Sequence, residues 1–96
     1  MIYEWDSVKA AQNGRKHGVS FVEAITVFLD PLATTFDDPD HSTGERRFVT
    51  IGTSTNHRLL FVAHADIGED RVRMISARAT ARQETHAYQK RDPKRH

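Results

Sequence analysis

Three stretches of strand character follow one another at short intervals, residues 48–53, 58–65 and 71–77, and they restrict the fold more than anything else in the chain. The first two are joined by Ser54-Thr55-Asn56-His57, and the next link carries Gly68. Connections this short allow hairpins but not the long crossover that a parallel pair requires, so an antiparallel meander is expected. In the third stretch Val72 and Met74 fall on one face and Arg71, Arg73 and Ile75 on the other, the period-two alternation of a half-buried strand. One face of the sheet is therefore apolar and must be covered by something else.

The cover precedes the sheet. Asp6 is placed to cap a first helix that runs to about Lys16 and should stop at Gly18. Its apolar stripe is thin, Val8 and Ala11, which puts Lys9, Asn13, Lys16 and His17 on or near the surface. A second helix opens at Ser20, because Ser20-Phe-Val-Glu23 has capping-box spacing and Phe21, Ala24, Ile25 and Phe28 fall at i, i+3, i+4 and i+7. Asp30-Pro31 ends it. Short strands are expected at residues 2–5 and 32–36, with a polar loop from Asp37 to Gly44. After the third strand the chain passes through Arg78 into a C-terminal helix starting near Thr80, where Thr80-Ala-Arg-Gln83 again has capping-box spacing. The predicted class is α+β: a small antiparallel sheet, two N-terminal helices on one face, and a C-terminal helix. A single domain over residues 1–92 accounts for the length, with 93–96 expected to form a frayed tail.

The near-neutral total charge of +1 hides a polarised chain. From Arg71 onward there are eight Lys or Arg against two acids, a balance of +6, whereas residues 1–70 hold six basic and eleven acidic side chains, a balance of −5. A basic segment of this kind points to a polyanion or an acidic partner. With no cysteine, thiolate chemistry, disulfides and Cys-ligated zinc are excluded. No apolar run approaches membrane-spanning length and no signal-peptide pattern opens the chain, so no membrane role and a cytoplasmic address are expected. There is no Gly-rich phosphate loop, nucleophile elbow or dinucleotide fingerprint.

Among the residues that could still carry chemistry, the strand arginines come first. Arg58, Arg73 and Arg78 lie on or at the ends of adjacent predicted strands and are expected to converge on one sheet face, where guanidinium forks would seat a phosphate and stabilise charge on a phosphorane. The competing reading makes them solvated edge residues that discourage sheet-to-sheet pairing. His41 can pass protons near neutral pH, and Glu45 four residues on can orient it or act as the base, with Arg47 beside them. Against this, Asp38-Pro39-Asp40 is turn chemistry, and such loops commonly carry a solvated histidine. The Asp37, Asp38, Asp40 and His41 cluster lacks the spacing and glycine of a calcium loop, so no metal is expected. Tyr88 could donate its hydroxyl to a phosphate or stack on a base, or else serve as half-buried packing.

Beyond these residue-level readings, the chain resembles the BrnT family. The likeness is carried by Glu4-Trp5-Asp6, Lys9, Asn13, Lys16-His17-Gly18-Val19-Ser20-Phe21, Asp30-Pro31-Leu32, Asp38-Pro39-Asp40-His41-Ser42, Glu45, Arg47-Phe48, Arg58-Leu59-Leu60 and Ile75-Ser76-Ala77-Arg78, in order, with Glu84 and Tyr88 at the expected offsets. Many members are more basic after the Ile-Ser-Ala-Arg block, where this chain has Ala79, Gln83 and Thr85. The resemblance implies a RelE-like fold and a toxin of a type II toxin-antitoxin pair. It implies metal-independent cleavage of mRNA and growth arrest, neutralisation by a BrnA-type ribbon-helix-helix antitoxin, and contact with operator DNA only through that antitoxin. Carried over residue by residue, Arg58, Arg73 and Arg78 would hold the scissile phosphate and His41 or Glu45 would accept the ribose proton. Lys16, His17, Arg47 and Tyr88 would touch RNA, and Arg82, Glu84 and Tyr88 would meet the antitoxin. The alternative is a non-catalytic module that binds nucleic acid or the antitoxin.

Overall fold

The structure is a computed structural model describing residues 1–41 and 44–89, with the backbone alone for His41 and Ala87. The tail expected to fray and the basic residues from Lys90 onward lie outside the described residues. The elements run β1 (Ile2–Glu4), α1 (Ser7–His17), α2 (Phe21–Ile25), β2 (Thr34–Asp37), β3 (Arg47–Thr53), β4 (Leu59–Ile67), β5 (Arg71–Ala79) and α3 (Arg82–Gln89), with 3₁₀ turns at Thr26–Leu29 and Pro39–His41. The five strands form one sheet in the order β1-β5-β4-β3-β2. From β2 to β5 each strand pairs antiparallel with the next, so the expected three-strand meander is present and β2 extends it. The sheet as a whole is mixed, because β1 joins β5 in parallel with Tyr3 opposite Val72. A parallel neighbour needs a long crossover, and here α1, α2 and three strands separate the two partners in sequence.

The caps explain where the first helices begin and end. Asp6 accepts from the Val8 and Lys9 amides at 2.8 and 3.3 Å, and Gly18 closes α1 in the left-handed region at φ 68°, its N–H reaching the Gly14 carbonyl. Ser20 Oγ accepts from the Glu23 amide at 3.0 Å, the forward half of the predicted box. The return half is not made, because the Glu23 carboxylate is directed to Arg58 and Ser54. The second helix is also shorter than its periodicity predicts: after Ile25 it tightens into the 3₁₀ turn that carries Val27 and Phe28. On this face Val19, Phe21, Ala24 and Val27 pack against Leu60, Val62, Val72, Met74 and Ala77. Each fully buried Val or Leu side chain contributes about 1.5–3 kcal/mol relative to exposure.

Asn13 is buried, contrary to its predicted place near the surface. Its amide nitrogen donates to the carbonyls of Val19 and Ala77 at 2.9 Å each, and its oxygen accepts from the Ala77 amide at 3.0 Å. Strand β1 reaches along β5 only as far as Arg73, so beyond that point the Asn13 side chain supplies β5 with the donor and acceptor that a neighbouring strand would have offered.

The opposite face carries a smaller apolar cluster of Val49, Ile51 and Tyr88, with Leu32, Leu59 and Phe61 packed against it. Helix α3 covers this end of the face through Tyr88, whose hydroxyl donates to Asp30 Oδ2 at 2.7 Å. Toward β2 and the middle of β5 the face is open.

Candidate active-site groove

A groove of about 570 Å³ lies on the open face, lined by Phe36, Asp37, Asp38, Arg47, Val49, Phe61, Ala63, Ile75, Ser76 and Arg78. A register irregularity puts Arg78 there. Ala63 pairs with Ser76 but His64 pairs with Met74, so Ile75 is an extra residue in β5. Val72 and Met74 face the helices, and after the extra residue the helix-facing position is Ala77 and the groove-facing one is Arg78. Its guanidinium lies 4.0 Å from the centre of the Phe61 ring and forks onto Glu84, Nη1 to Oε1 at 2.8 Å and Nη2 to Oε2 at 2.7 Å. That pairing holds the Glu84 carboxyl below the usual carboxylate range, helped by the Ala81 amide. The carboxylate thus also does the capping at the start of α3. Gln83 does not form the predicted box with Thr80, whose hydroxyl instead meets that of Thr85 at 2.8 Å.

The three arginines expected to converge do not share a pocket. Arg78 lines the groove together with Arg47, while Arg73 lines a separate cleft that also contains Glu45 and Phe48. Arg58 is turned toward the helices, where Nε donates to Glu23 Oε2 at 2.9 Å, Nη2 contacts Glu23 Oε1, and Nη2 donates to the Gly18 carbonyl at 3.1 Å. Arg58 foremost, with Ser54 also donating, holds the buried Glu23 carboxyl at a pKa of about 2. This ion pair ties the β3–β4 turn to α2 and takes Arg58 away from the groove face. Glu45 lies between two cations, 3.1 Å from Arg73 and 3.7 Å from Arg47, a bridge between the two clefts.

The remaining predicted residues are dispersed. Lys16 and His17 sit in the last turn of α1, on the helix-bearing side, where their charge complements the helix dipole. Tyr88 is 6% exposed, so it anchors α3 and presents no surface for RNA or an antitoxin. Glu84 is committed to Arg78, and Arg82 is exposed at the start of α3. His41 ends the 3₁₀ turn that follows Asp38, and its side chain lies outside the described residues. Part of the charge of the basic segment is offset, because Arg71 and Arg73, both exposed, reach Glu4 across the β1–β5 pair. Sequence reasoning took Asp37 and Asp38 for turn and loop residues, but both border the groove; the Asp37 carboxylate is taken up by Arg46 at 2.9 Å.

A second polar arrangement lies on the helix-bearing side. His64, 3% exposed, has Nδ1 3.2 Å from Asp66 and Nε2 2.8 Å from the Thr50 hydroxyl, which in turn lies 2.7 Å from that of Thr35. The order carboxylate, imidazole, hydroxyl is that of a nucleophilic triad. Thr50 is nevertheless 1% exposed and the ring packs between Phe28 and Phe48, so no substrate reaches the hydroxyl and the chain of bonds serves the core. Burial pushes the His64 pKa down, and Asp66 opposes this only in part. The neutral ring is therefore favoured in the folded state. Stability should be level above the ordinary histidine pKa of about 6.5 and fall as the pH drops below it, because the unfolded chain then takes up a proton that the folded one resists. Urea unfolding between pH 7.5 and pH 5 measures this slope, and His64→Gln should flatten it.

Residues 5–84 match the family model described as the ribonuclease toxin BrnT of type II toxin-antitoxin systems. The chain belongs to the BrnT family. No curated protein matches it in sequence. Among solved structures, the 1.1 Å crystal structure of the Brucella abortus ribonuclease toxin BrnT shares the fold, with a TM-score of 0.68 over 85% of this chain and 100% of that one at 24% identity. As a BrnT toxin the chain is one half of a toxin-antitoxin pair and has an antitoxin partner. Among the described residues, no helix is long and apolar enough to cross a membrane.

Proposed function

We propose that this BrnT chain is a metal-independent endoribonuclease that cleaves mRNA at the open-face groove and thereby arrests growth in the cytoplasm. The observation that carries the reading is the meeting of Arg47 and Arg78 with Asp38 in one groove that has an aromatic floor. The guanidiniums seat the phosphate and offset the charge that builds on it as the ribose 2′-OH attacks. A groove carboxylate accepts the 2′-OH proton, and water returns one to the leaving 5′-oxygen. Phe36, which is exposed, offers a ring face to a base. A BrnA-type ribbon-helix-helix antitoxin neutralises the enzyme and alone contacts operator DNA.

A second reading, a non-catalytic antitoxin-binding module, is favoured by one feature: Arg47, Arg73 and Arg78 each already lie beside a carboxylate. Inducing the chain alone and mapping RNA 5′ ends separates the two. The nuclease yields new ends, 2′,3′-cyclic phosphate termini and cleavage that persists in EDTA, and it leaves a 2′-deoxy substrate intact. Growth arrest without new RNA ends would establish the module instead, and cleavage abolished by EDTA and restored by Mg²⁺ would overturn metal independence.

A further inference from the structure

The N–H bonds of Arg78 can be accounted for one by one. Nη1 donates to Glu84 Oε1 at 2.8 Å and to the Ala79 carbonyl at 3.2 Å, and Nη2 donates to Glu84 Oε2 at 2.7 Å. A guanidinium has five N–H bonds in a fixed plane. The two left over are Nε–H and the second N–H of Nη2, which lie parallel along the long edge of the group. That edge is itself a bidentate fork matched to a phosphate. Glu84 thus occupies the short edge of Arg78 and leaves the long edge available.

The carboxylate is itself held in place. Oε1 accepts from the Ala81 amide at 2.6 Å, which fixes it at the start of α3, and α3 is anchored by Tyr88 on Asp30. Phe61 backs one face of the guanidinium. With one face and one edge constrained, Arg78 has little side-chain freedom left to lose when a phosphate arrives.

We propose that Glu84 is a positioning residue for RNA, holding Arg78 so that its Nε/Nη2 edge is the phosphate-binding fork. The inference rests on the groove being the RNA site, and the test keeps the two claims apart. An uncleavable 2′-O-methyl oligoribonucleotide is titrated into the wild type, Arg78→Ala and Glu84→Gln, following affinity and the ¹⁵N–¹H signal of the Arg78 Nε–H. Glutamine keeps an oxygen for the Ala81 amide but cannot accept at both ends from the arginine. Arg78→Ala should weaken binding at least roughly tenfold and Glu84→Gln several-fold. In the wild type the Nε–H signal should shift on saturation with RNA, and in Glu84→Gln it should be broadened by exchange before RNA is added. A role confined to the stability of α3 would not move that signal.

Unchanged binding in Arg78→Ala would refute the groove itself. Weakened binding in Arg78→Ala alongside equal or tighter binding in Glu84→Gln would leave the groove standing and overturn the positioning role, making Glu84 a competitor of the phosphate. A wild-type Nε–H signal indifferent to saturating RNA would overturn it as well, whatever the folding of the variants.

Discussion

Arg78→Ala is expected to lower the single-turnover rate of RNA cleavage by about 10²–10³-fold, the usual loss when one preorganised donor to a developing oxyanion is removed. The expectation follows from geometry. Arg78 is one of two cations lining the groove, and its guanidinium is fixed by Glu84 and Phe61, so it adds charge and direction with little reorganisation. Removing it also deprives the half-buried Glu84 of its main partner, so lost activity in the alanine variant could reflect a loosened α3. Arg78→Lys resolves this. Lysine keeps a cation beside Glu84 but is a point charge with no fork, and it should still lose at least about tenfold while melting close to the wild type. Cleavage within about threefold of wild type in both variants would remove Arg78 from the mechanism. Arg58→Ala should act differently, because its guanidinium is spent on Glu23 and Gly18 and its loss appears in thermal stability.

The second large effect concerns folding. Asn13→Ala should reduce the unfolding free energy by about 2–4 kcal/mol, because it strips partners from the buried Ala77 amide and carbonyl and from the Val19 carbonyl together. Against the roughly 5–15 kcal/mol typical of a domain, this is a large fraction. Asn13→Asp is expected to be at least as damaging at neutral pH, since it keeps the acceptor for Ala77 but loses the donor and turns a charge toward two carbonyls. Urea midpoints with unchanged slopes measure both variants. A loss under about 0.5 kcal/mol for the alanine would mean that water or a backbone shift takes over the role assigned to the amide.

What the sequence could and could not reveal follows from how local each feature is. Helix ends were legible at Asp6, Gly18 and Ser20 because a cap involves only residues within one turn. The three-strand meander of β3, β4 and β5 was legible because short links leave few ways to pair, whereas the pairing of β2 across a longer loop was not. The parallel pairing of β1 with β5 was not, since nothing within residues 2–5 specifies which distant edge they will meet. Asn13 was misjudged for the same reason: an amide on a thin helical stripe reads as surface unless the unpaired backbone of Ala77 is known to lie opposite. Glu23 and Gln83 both fit a capping box by spacing, but a tertiary partner, Arg58, drew off the first, and Glu84, the next residue along, took the local capping role from the second. At the groove, strand position alone could not place Arg58 on the helix side or bring Arg47, Arg78 and Asp38 together.

The extra residue at Ile75 has a consequence for how such a chain can change over generations. Strand β5 serves hydrocarbon on one side of the sheet at its start and a cation on the other side near its end, and the count of residues between Met74 and Arg78 sets the switch. Point replacements inside that interval disturb only what they touch, whereas losing or gaining a single codon there would swap the environments of Ala77 and Arg78 at one stroke. Drift in this toxin should therefore proceed by spelling and not by length along β5, with insertions confined to the connections at its ends.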